Sequence, residues 1–284
     1  MRGKGSSHGA GTIVNAIATG KGAAFGVDLR TEAEVELDST GEIQVTIEGF
    51  QGEDTLLAER CVRNVLDKLA KREGYGAKVT TRSQIPISRG LKSSSAAANA
   101  IVLATLDALR IRLDPLRAVR IGTKSAIEAK VSVTGAFDDA CASLLGGVVL
   151  TDNRRERIVK RDSLPPGLKV LIHVPELQVR KQGLPLERIR AVAPAAEAAF
   201  ERARKGRYAE AMLINSLAYT SSLGLSMDAT YRALSKGAYA AGLSGTGPAT
   251  VILVKEEGLG DMEALFDPKE IIVADVFDDS EDSS

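Results

Sequence analysis

The sequence predicts an α+β fold in two lobes, and three observations point there. In the first half, segments of alternating or nearly alternating apolar residues at 33–37, 43–47 and 77–82 are interleaved with helical stripes. A charged stretch and the turn Asp162 to Gly167, with Pro165-Pro166, interrupt the pattern near the middle. Strands and helices then mix again in the second half. A chain of 284 residues accommodates two lobes of about 130 to 150 residues each. The expected division is 1–160, 161–276 and an acidic tail at 277–284.

The Gly/Ser-rich start, which carries His8, is expected to be mobile. Segments 33–37 and 43–47 flank Thr40-Gly41 and predict a hairpin. Over 53–72, Leu56, Leu57, Val62, Val65, Leu66 and Leu69 form one helical stripe that ends before Gly74. Ser93 to Leu109 is Ala-rich and apolar nearly all round, which predicts a helix buried in the core. Asp114-Pro115 supplies an N-cap and a first-turn proline for a helix running towards Lys130. Arg154, Arg155, Glu156, Arg157, Lys160 and Arg161 suit a solvated loop at a strand edge. Leu168 to Val174 is a strand that places His173 as a core or edge-strand histidine, and helices follow at 187–205, 208–223 and 227–240. Segments 251–254 and 271–276 close the fold as strands, and five acids from Asp275 onward, with no base among them, predict a solvated, frayed tail.

Composition excludes several functions. Lys plus Arg (37) equal Asp plus Glu (37), Trp is absent and aromatics are 4%, so neither a basic field nor a stacking surface recruits nucleic acid. Apolar runs such as Gly146 to Leu150 fall far short of the ~20 residues of a membrane span. Cys61 and Cys141 are too few for a disulfide framework, and with His8 and His173 they match no zinc spacing. With no signal-peptide pattern at Met1-Arg2-Gly3-Lys4, the expected location is the reducing cytoplasm.

Three stretches carry chemistry. Pro86 to Asn99, Pro-Ile-Ser-Arg-Gly-Leu-Lys-Ser-Ser-Ser-Ala-Ala-Ala-Asn, runs from a turn into a helix. Its backbone N–H groups can converge on an anion at the positive end of the helix dipole, and Ser hydroxyls can add donors or a Mg²⁺ ligand. A Ser-capped buried helix explains the same stretch without function. Ala241 to Ala249 holds Gly242, Gly245 and Gly247 ahead of a strand, as a plain turn or as a close approach to a ligand. Thr134 to Cys141 sets Asp138 and Asp139 beside Gly135 among small and apolar residues, so one carboxylate can accept a proton from a hydroxyl, unless it merely caps a helix. The glycine, four residues, Gly-Lys-Ser/Thr pattern of P-loop proteins is missing: Gly20-Lys21-Gly22 has Asn15 at the first glycine position and no hydroxyl after Lys21.

Taken in order, these stretches resemble the GHMP kinases, the superfamily of galactokinase, homoserine kinase and mevalonate kinase. The family motif Pro-x-x-x-Gly-Leu-Gly-Ser-Ser-Ala-Ala is matched by Pro86 to Ala97, with Lys92 in place of a glycine and a third serine at Ser95. The Gly-Leu-Lys-Ser-Ser-Ser form, the run Ala18 to Gly26 and the run Thr134 to Asp139 are similar to the archaeal-type shikimate kinases within that superfamily. The resemblance implies a two-lobed GHMP-kinase-like fold with the active site between the lobes. It also implies ATP and Mg²⁺ as cofactors, and phosphorylation of the 3-hydroxyl of shikimate on the route to chorismate and the aromatic amino acids.

The same resemblance implies residue roles. Asp139 is the base, standing seven before Gly146, with Asp138 as the alternative; Lys21 is the lysine aimed at the reacting hydroxyl. Ser94 meets Mg²⁺, joined by Glu128, which stands eleven before Asp139. Pro86, Ser88, Arg89, Gly90, Leu91, Lys92, Ser93, Ser94, Ser95 and Ala96 cradle the ATP phosphates, and Gly242, Ser244, Gly245, Thr246 and Gly247 close over them. Arg30, Arg89 and Lys181 stand unranked for the shikimate carboxylate. The rival functions are another GHMP small-molecule kinase, above all homoserine kinase, and a non-catalytic nucleotide-binding sensor of the same fold.

Overall fold

The computed structural model describes residues 1–50, 54–70, 74–86, 91–132, 134–176 and 183–279. Its spine is a single long strand. β1 (Arg2–Val14) runs antiparallel to β2 (Lys21–Asp38) over nearly its whole length. The opposite edge of β2 is shared by three strands in turn: β4 (Gly76–Ser83) along Thr31 to Asp38, β10 (Ile271–Phe277) at Gly26 and Val27, and β5 (Val148–Asp152) along Lys21 to Phe25.

This sharing overturns the hairpin expected at Thr40-Gly41. β3 (Ile43–Ile47) does not pair with β2; it pairs in parallel with β4, through the crossover helix α1 (Leu56–Val65). From Thr31 to Glu36, β2 already has β1 on one edge and β4 on the other, so no ladder position is left for β3. β6 (Arg157–Asp162) pairs with β5, so half of the expected basic loop is an exposed edge strand. Beyond β10 lie β7 (Leu168–His173), β9 (Thr250–Lys255) and β8 (Ala240–Leu243), completing one ten-stranded sheet.

β10 joins the two halves, because it hydrogen-bonds to β7 on one side and to β2 on the other. Its acids are therefore not all frayed. Asp275 pairs with Lys169 at 2.7 Å, and the Gly147 amide donates to the Phe277 carbonyl at 2.9 Å. The Phe277 ring stacks on His8 at 3.6 Å between centroids, so His8 sits within a paired strand and not a mobile terminus. Residues 280–284 lie outside the described chain. His173 is an interior-strand histidine, flanked by β10 and β9, with its ring on Phe266.

α2 (Ser93–Ala108), buried nearly all round, packs straight onto β1. The contact is close because both surfaces are small: a Cβ added at Gly5 would lie 2.5 Å from the Ala104 amide nitrogen, and one at Gly3 would collide with Ala108. α3 (Pro115–Glu128) starts as expected, with the Asp114 carboxylate accepting from the Arg117 amide at 3.2 Å. α4 (Phe137–Leu145) completes the helices of the first half.

In the second half the helix expected at 187–205 divides into α5 (Leu186–Ala191) and α6 (Ala193–Arg204), with Pro194 in the first turn of α6. α7 (Tyr208–Leu223) matches its periodicity. α8 (Asp228–Ser235) stops five residues early, because Gly237 takes a left-handed φ of 93° and turns the chain into β8. α9 (Leu259–Glu263) precedes β10. The largest apolar cluster spans both halves, joining Val27 and Val148 to Val170, Phe200, Met212 and Leu253. A second cluster, including Val35, Val62, Val79 and Ile101, fixes α1 and α2 against β2 and β4. Among the described residues no helix is long and apolar enough to cross a membrane.

The β1–α2 contact generates a test. Gly5→Val should cost about 3 kcal/mol by overpacking, whereas at Gly9 an added Cβ meets nothing nearer than 3.5 Å, so Gly9→Ala should be tolerated. Guanidinium unfolding midpoints measure both.

Candidate active site

Gly135 and Ala136 both take left-handed φ, of 77° and 51°, and swing the chain into α4 so that Asp138 and Asp139 occupy its first turn. A helix N-terminus favours acids. Burial opposes them, and these two are only 3% and 5% exposed. Their neighbours offset that cost. The Asn153 side-chain amide donates to Asp138 Oδ1 at 2.8 Å, while Thr151 Oγ1 donates to Asn153 Oδ1 at 2.6 Å and the Asn153 backbone amide to the Gly20 carbonyl at 2.8 Å. The other side of the Asp138 carboxyl presses on Gly22, where an added Cβ would lie 2.6 Å from Asp138 Cγ. Position 22 therefore has no room for a side chain.

Asp139 faces a different partner. Its Oδ2 lies 2.8 Å from the Lys92 ammonium, in an ion pair whose side chains are 7% and 11% exposed. Its Oδ1 is buried with no hydrogen-bond partner among the described residues. Lys92 immediately precedes α2 in the left-handed region, φ 64°, and its carbonyl accepts from the Ser95 and Ala96 amides at 3.0 and 3.1 Å. The Ser93 and Ser94 amides, at the first two helical positions, have no intrahelical acceptor. Ser93 and Ser94 are half-buried, and Leu91, Ser95 and Ala96 are buried. Pro86 is half-buried, whereas Ser88, Arg89, Gly90 and Lys181 lie outside the described residues.

The second glycine-rich stretch closes on the β1–β2 turn. Gly242 lies in β8 with no space for a Cβ, which would approach Ser216 Oγ to 2.5 Å. Ser244, Gly245, Thr246 and Gly247 are all buried in the turn that follows. The Gly245 amide donates to Thr12 Oγ1, and Asn15 Nδ2 donates to the Gly245 carbonyl, both at 2.8 Å. Asn15 is also tied to α7: its amide donates to Asn215 Oδ1 at 2.8 Å, and Tyr219 OH donates to its carbonyl at 2.9 Å. A path of direct contacts thus runs from the glycine-rich turn through Asn15 and the β1–β2 turn to Asp138, Asp139 and Lys92.

Several expected partners are elsewhere. The Lys21 ammonium pairs with Glu197 of α6 and lies 5.8 Å from the Phe200 ring centroid; the cation on Asp139 is Lys92. Glu128 is exposed, accepts from Asn64 Nδ2 at 2.9 Å and faces Lys124 at 3.5 Å; the Asn64 bond holds its carboxyl below the usual range. Its spacing from Asp139 matches the family pattern, but its side chain is turned to α1. Among the described residues no three His, Cys, Asp or Glu side chains cluster to hold a metal. Arg30 pairs with Asp28 at 3.2 Å, eight residues along β2 from Gly22, or about 26 Å at the rise of a strand.

Sequence reasoning missed three residues that pack beside the paired acids or the β1–β2 turn. Asn153 and Asn15 act through single buried amides, which leave no pattern in a sequence. Arg154 lay hidden in a basic run, yet its stem rests on Gly20, where an added Cβ would lie 2.6 Å from its Nε.

Residues 57–147, from α1 to the turn after α4, match the family model described as the GHMP kinases N terminal domain. The chain is 50% identical to a shikimate kinase of Methanothrix thermoacetophila, over 90% of this chain and 86% of that protein. It is 49% identical to one of Methanocella arvoryzae, over 91% and 87%. The chain belongs to the shikimate kinase family of the GHMP kinases. The fold agrees: homoserine kinase of Cytophaga hutchinsonii superposes with a TM-score of 0.75 over 97% of this chain and 95% of that one, at 18% identity. Mevalonate kinase of L. major, solved with R-mevalonate, gives 0.72 over 98% and 96%, also at 18% identity. The chain is a kinase, and the family to which it belongs uses ATP.

The paired acids make a test of the site's electrostatics. Burial first, and then the charge of Asp139, raise the Asp138 carboxyl from 3.8 to about 7, against the opposing pull of Lys92 and Asn153. The folded chain then binds this proton more tightly than the unfolded chain, so stability declines as pH rises from about 4 to about 7. Asp138→Asn should melt several degrees above the parent at pH 8 and level with it at pH 4. Thermal unfolding at both pH values measures this, and a lower melting temperature at pH 8 would contradict it.

Proposed function

We propose that the chain transfers the γ-phosphoryl group of ATP to the 3-hydroxyl of shikimate. The observation that carries the substrate assignment is the 50% identity to a shikimate kinase over 90% of the chain. The site's chemistry supports it. Asp139 has one carboxylate oxygen held by Lys92 and the other buried and unpartnered, which suits it to orient a hydroxyl and accept its proton. Asp138 is packed between Asn153, which donates to its Oδ1, and Gly22.

The residues also suit a nucleotide. The amides of Ser93 and Ser94, which have no intrahelical acceptor, stand at the positive end of α2. ATP supplies the phosphoryl group, and Mg²⁺ neutralises charge on it. Of the two expected Mg²⁺ ligands, Ser94 suits that role at the cradle, whereas Glu128 is committed to Asn64 and Lys124. A cation that keeps several waters and is bound largely through phosphate oxygens needs few protein ligands.

Arg154 is the cation we assign to the substrate carboxylate. It follows the asparagine that holds Asp138, its stem is laid along Gly20, and its guanidinium makes no ion pair or hydrogen bond among the described residues. A fork of fixed donors matches a carboxylate.

A coupled ADP assay across shikimate, homoserine and mevalonate, with the product identified by mass spectrometry, tests the function. Turnover of shikimate alone is expected; turnover of homoserine instead, or nucleotide binding with no turnover, would replace the reading. Asp139→Asn should lower kcat by roughly 10² to 10⁴ with KM little changed.

Arg154→Gln should raise the KM for shikimate about ten- to a hundredfold, the worth of a hydrogen bond to a charged group. Arg155, which pairs with Asp152 at 3.7 Å, is the control, and Arg155→Gln should leave that KM within a few-fold. Equal KM values for the two variants would remove Arg154 from the carboxylate site.

A further inference from the structure

We propose that Lys92 is the catalytic cation of this site, the group that meets negative charge on the reacting oxygens, in the place that the family resemblance gives to Lys21. The inference rests on the phosphoryl-transfer reading above. Four observations carry it.

First, Lys92 occupies a backbone conformation that favours glycine, φ 64°, where the resembling motif has glycine. A long side chain is kept there against its backbone preference. Second, its ammonium is nearly buried and sits 2.8 Å from Asp139 Oδ2, while Asp139 Oδ1 has no partner. A hydroxyl that binds Oδ1 therefore arrives on the carboxylate that Lys92 already holds, close to the ammonium. Third, the same residue precedes the amides of Ser93 and Ser94, which have no intrahelical acceptor. Lys92 thus belongs both to the base and to the anion-binding start of α2. Fourth, Lys21 is engaged by Glu197 on α6, with both side chains about two-fifths exposed, at 39% and 43%.

In the step itself Lys92 stays protonated. The hydroxyl oxygen bonds to phosphorus as the bond from phosphorus to the ADP oxygen breaks, and the hydroxyl proton passes to Asp139. The ammonium donates hydrogen bonds to the oxygens on which charge accumulates and follows the charge off Asp139 as that carboxylate is protonated. Fixed donors of this kind act on the transition state more than on the bound substrate.

The competing explanation is that Lys92 only ties α2 to α4. Lys92→Met removes the charge and keeps the length. It should fold, bind ATP and shikimate within about threefold of the parent, and lose about a thousandfold in kcat. Lys21→Met should cost less than a tenth of that. Lys92→Cys alkylated with 2-bromoethylamine rebuilds an ammonium at the same reach, and Cys61 and Cys141 are buried, which directs the reagent to position 92. Alkylation should restore at least a tenth of the parent rate.

The proposal is overturned if Lys92→Met keeps kcat within tenfold, if Lys21→Met is the more damaging change, or if complete alkylation restores nothing in a folded protein. Should Lys92→Met fail to fold, Lys92→Arg decides. That variant keeps the charge of the pair but moves its donors, so a parent-like melting temperature with kcat down tenfold or more supports the proposal, and a parent-like kcat overturns it. Failure of the unaltered chain to phosphorylate shikimate refutes the function instead, before any variant is made.

Discussion

Two adjacent carboxylates buried against a single ammonium form the constraint around which the site is arranged. At an effective dielectric of about 20, unit charges 4 Å apart interact by about 4 kcal/mol. A second full negative charge beside Asp139 would therefore oppose much of what Lys92 contributes. Burial and that repulsion together keep the proton on Asp138 up to about pH 7, leaving Asp139 as the member paired with the ammonium. The surrounding backbone accommodates the arrangement: Gly22 makes room for one carboxyl, Asn153 donates to it, and the left-handed Ala136 starts α4 at the register that turns both acids inward.

The position of that site follows from one strand. β2 gives one edge to β1 and divides the other among β4, β10 and β5, so its first residues are fixed from both sides and its later ones anchor the first-half helices through β4. Gly22 stands at its start, next to the turn whose Asn15 binds the Gly245 carbonyl and α7. The acids at the start of α4 and the turn at Gly245 are far apart in sequence, yet both contact the β1–β2 segment, through Asp138 on Gly22 and through Gly245 on Asn15 and Thr12. β10 returns from the second half to pair with β2, so the relation between the halves is set by a backbone ladder as well as by side chains.

What was legible in the sequence follows from how local each signal is. α1, α2, α3 and α7 were legible because helical periodicity and the Asp114-Pro115 cap are properties of consecutive residues. β1 was not legible, because its glycines and serines carry no apolar alternation; they are small to admit α2, a reason that appears only once α2 is packed on them. The hairpin at Thr40-Gly41 failed because occupancy of the β2 edge is decided by residues 76–83 and 2–7, which no window around residue 40 contains. Glu128 shows the same limit at the level of the site. Its distance along the chain from Asp139 matches a pattern, but a helix presents a different face with each residue, and this one faces Asn64.

Moving the cation changes what its charge is worth. On Lys21 it would reach the site from the rim, where the side chain is 39% exposed, screened by water and salt, and shared with Glu197. On Lys92 the ammonium is 11% exposed, and its field acts through protein. Burying a lysine costs desolvation, and placing it at φ 64° costs backbone strain. Both costs are opposed by the Asp139 carboxylate, 2.8 Å from the ammonium. The lysine and the acid are therefore interdependent. Each lowers the cost of burying the other, and together they hold a charged pair at the start of α2, with one carboxylate oxygen buried and without a hydrogen-bond partner among the described residues. Lys21, by contrast, joins β2 to α6 through its pair with Glu197, a contact between the two halves.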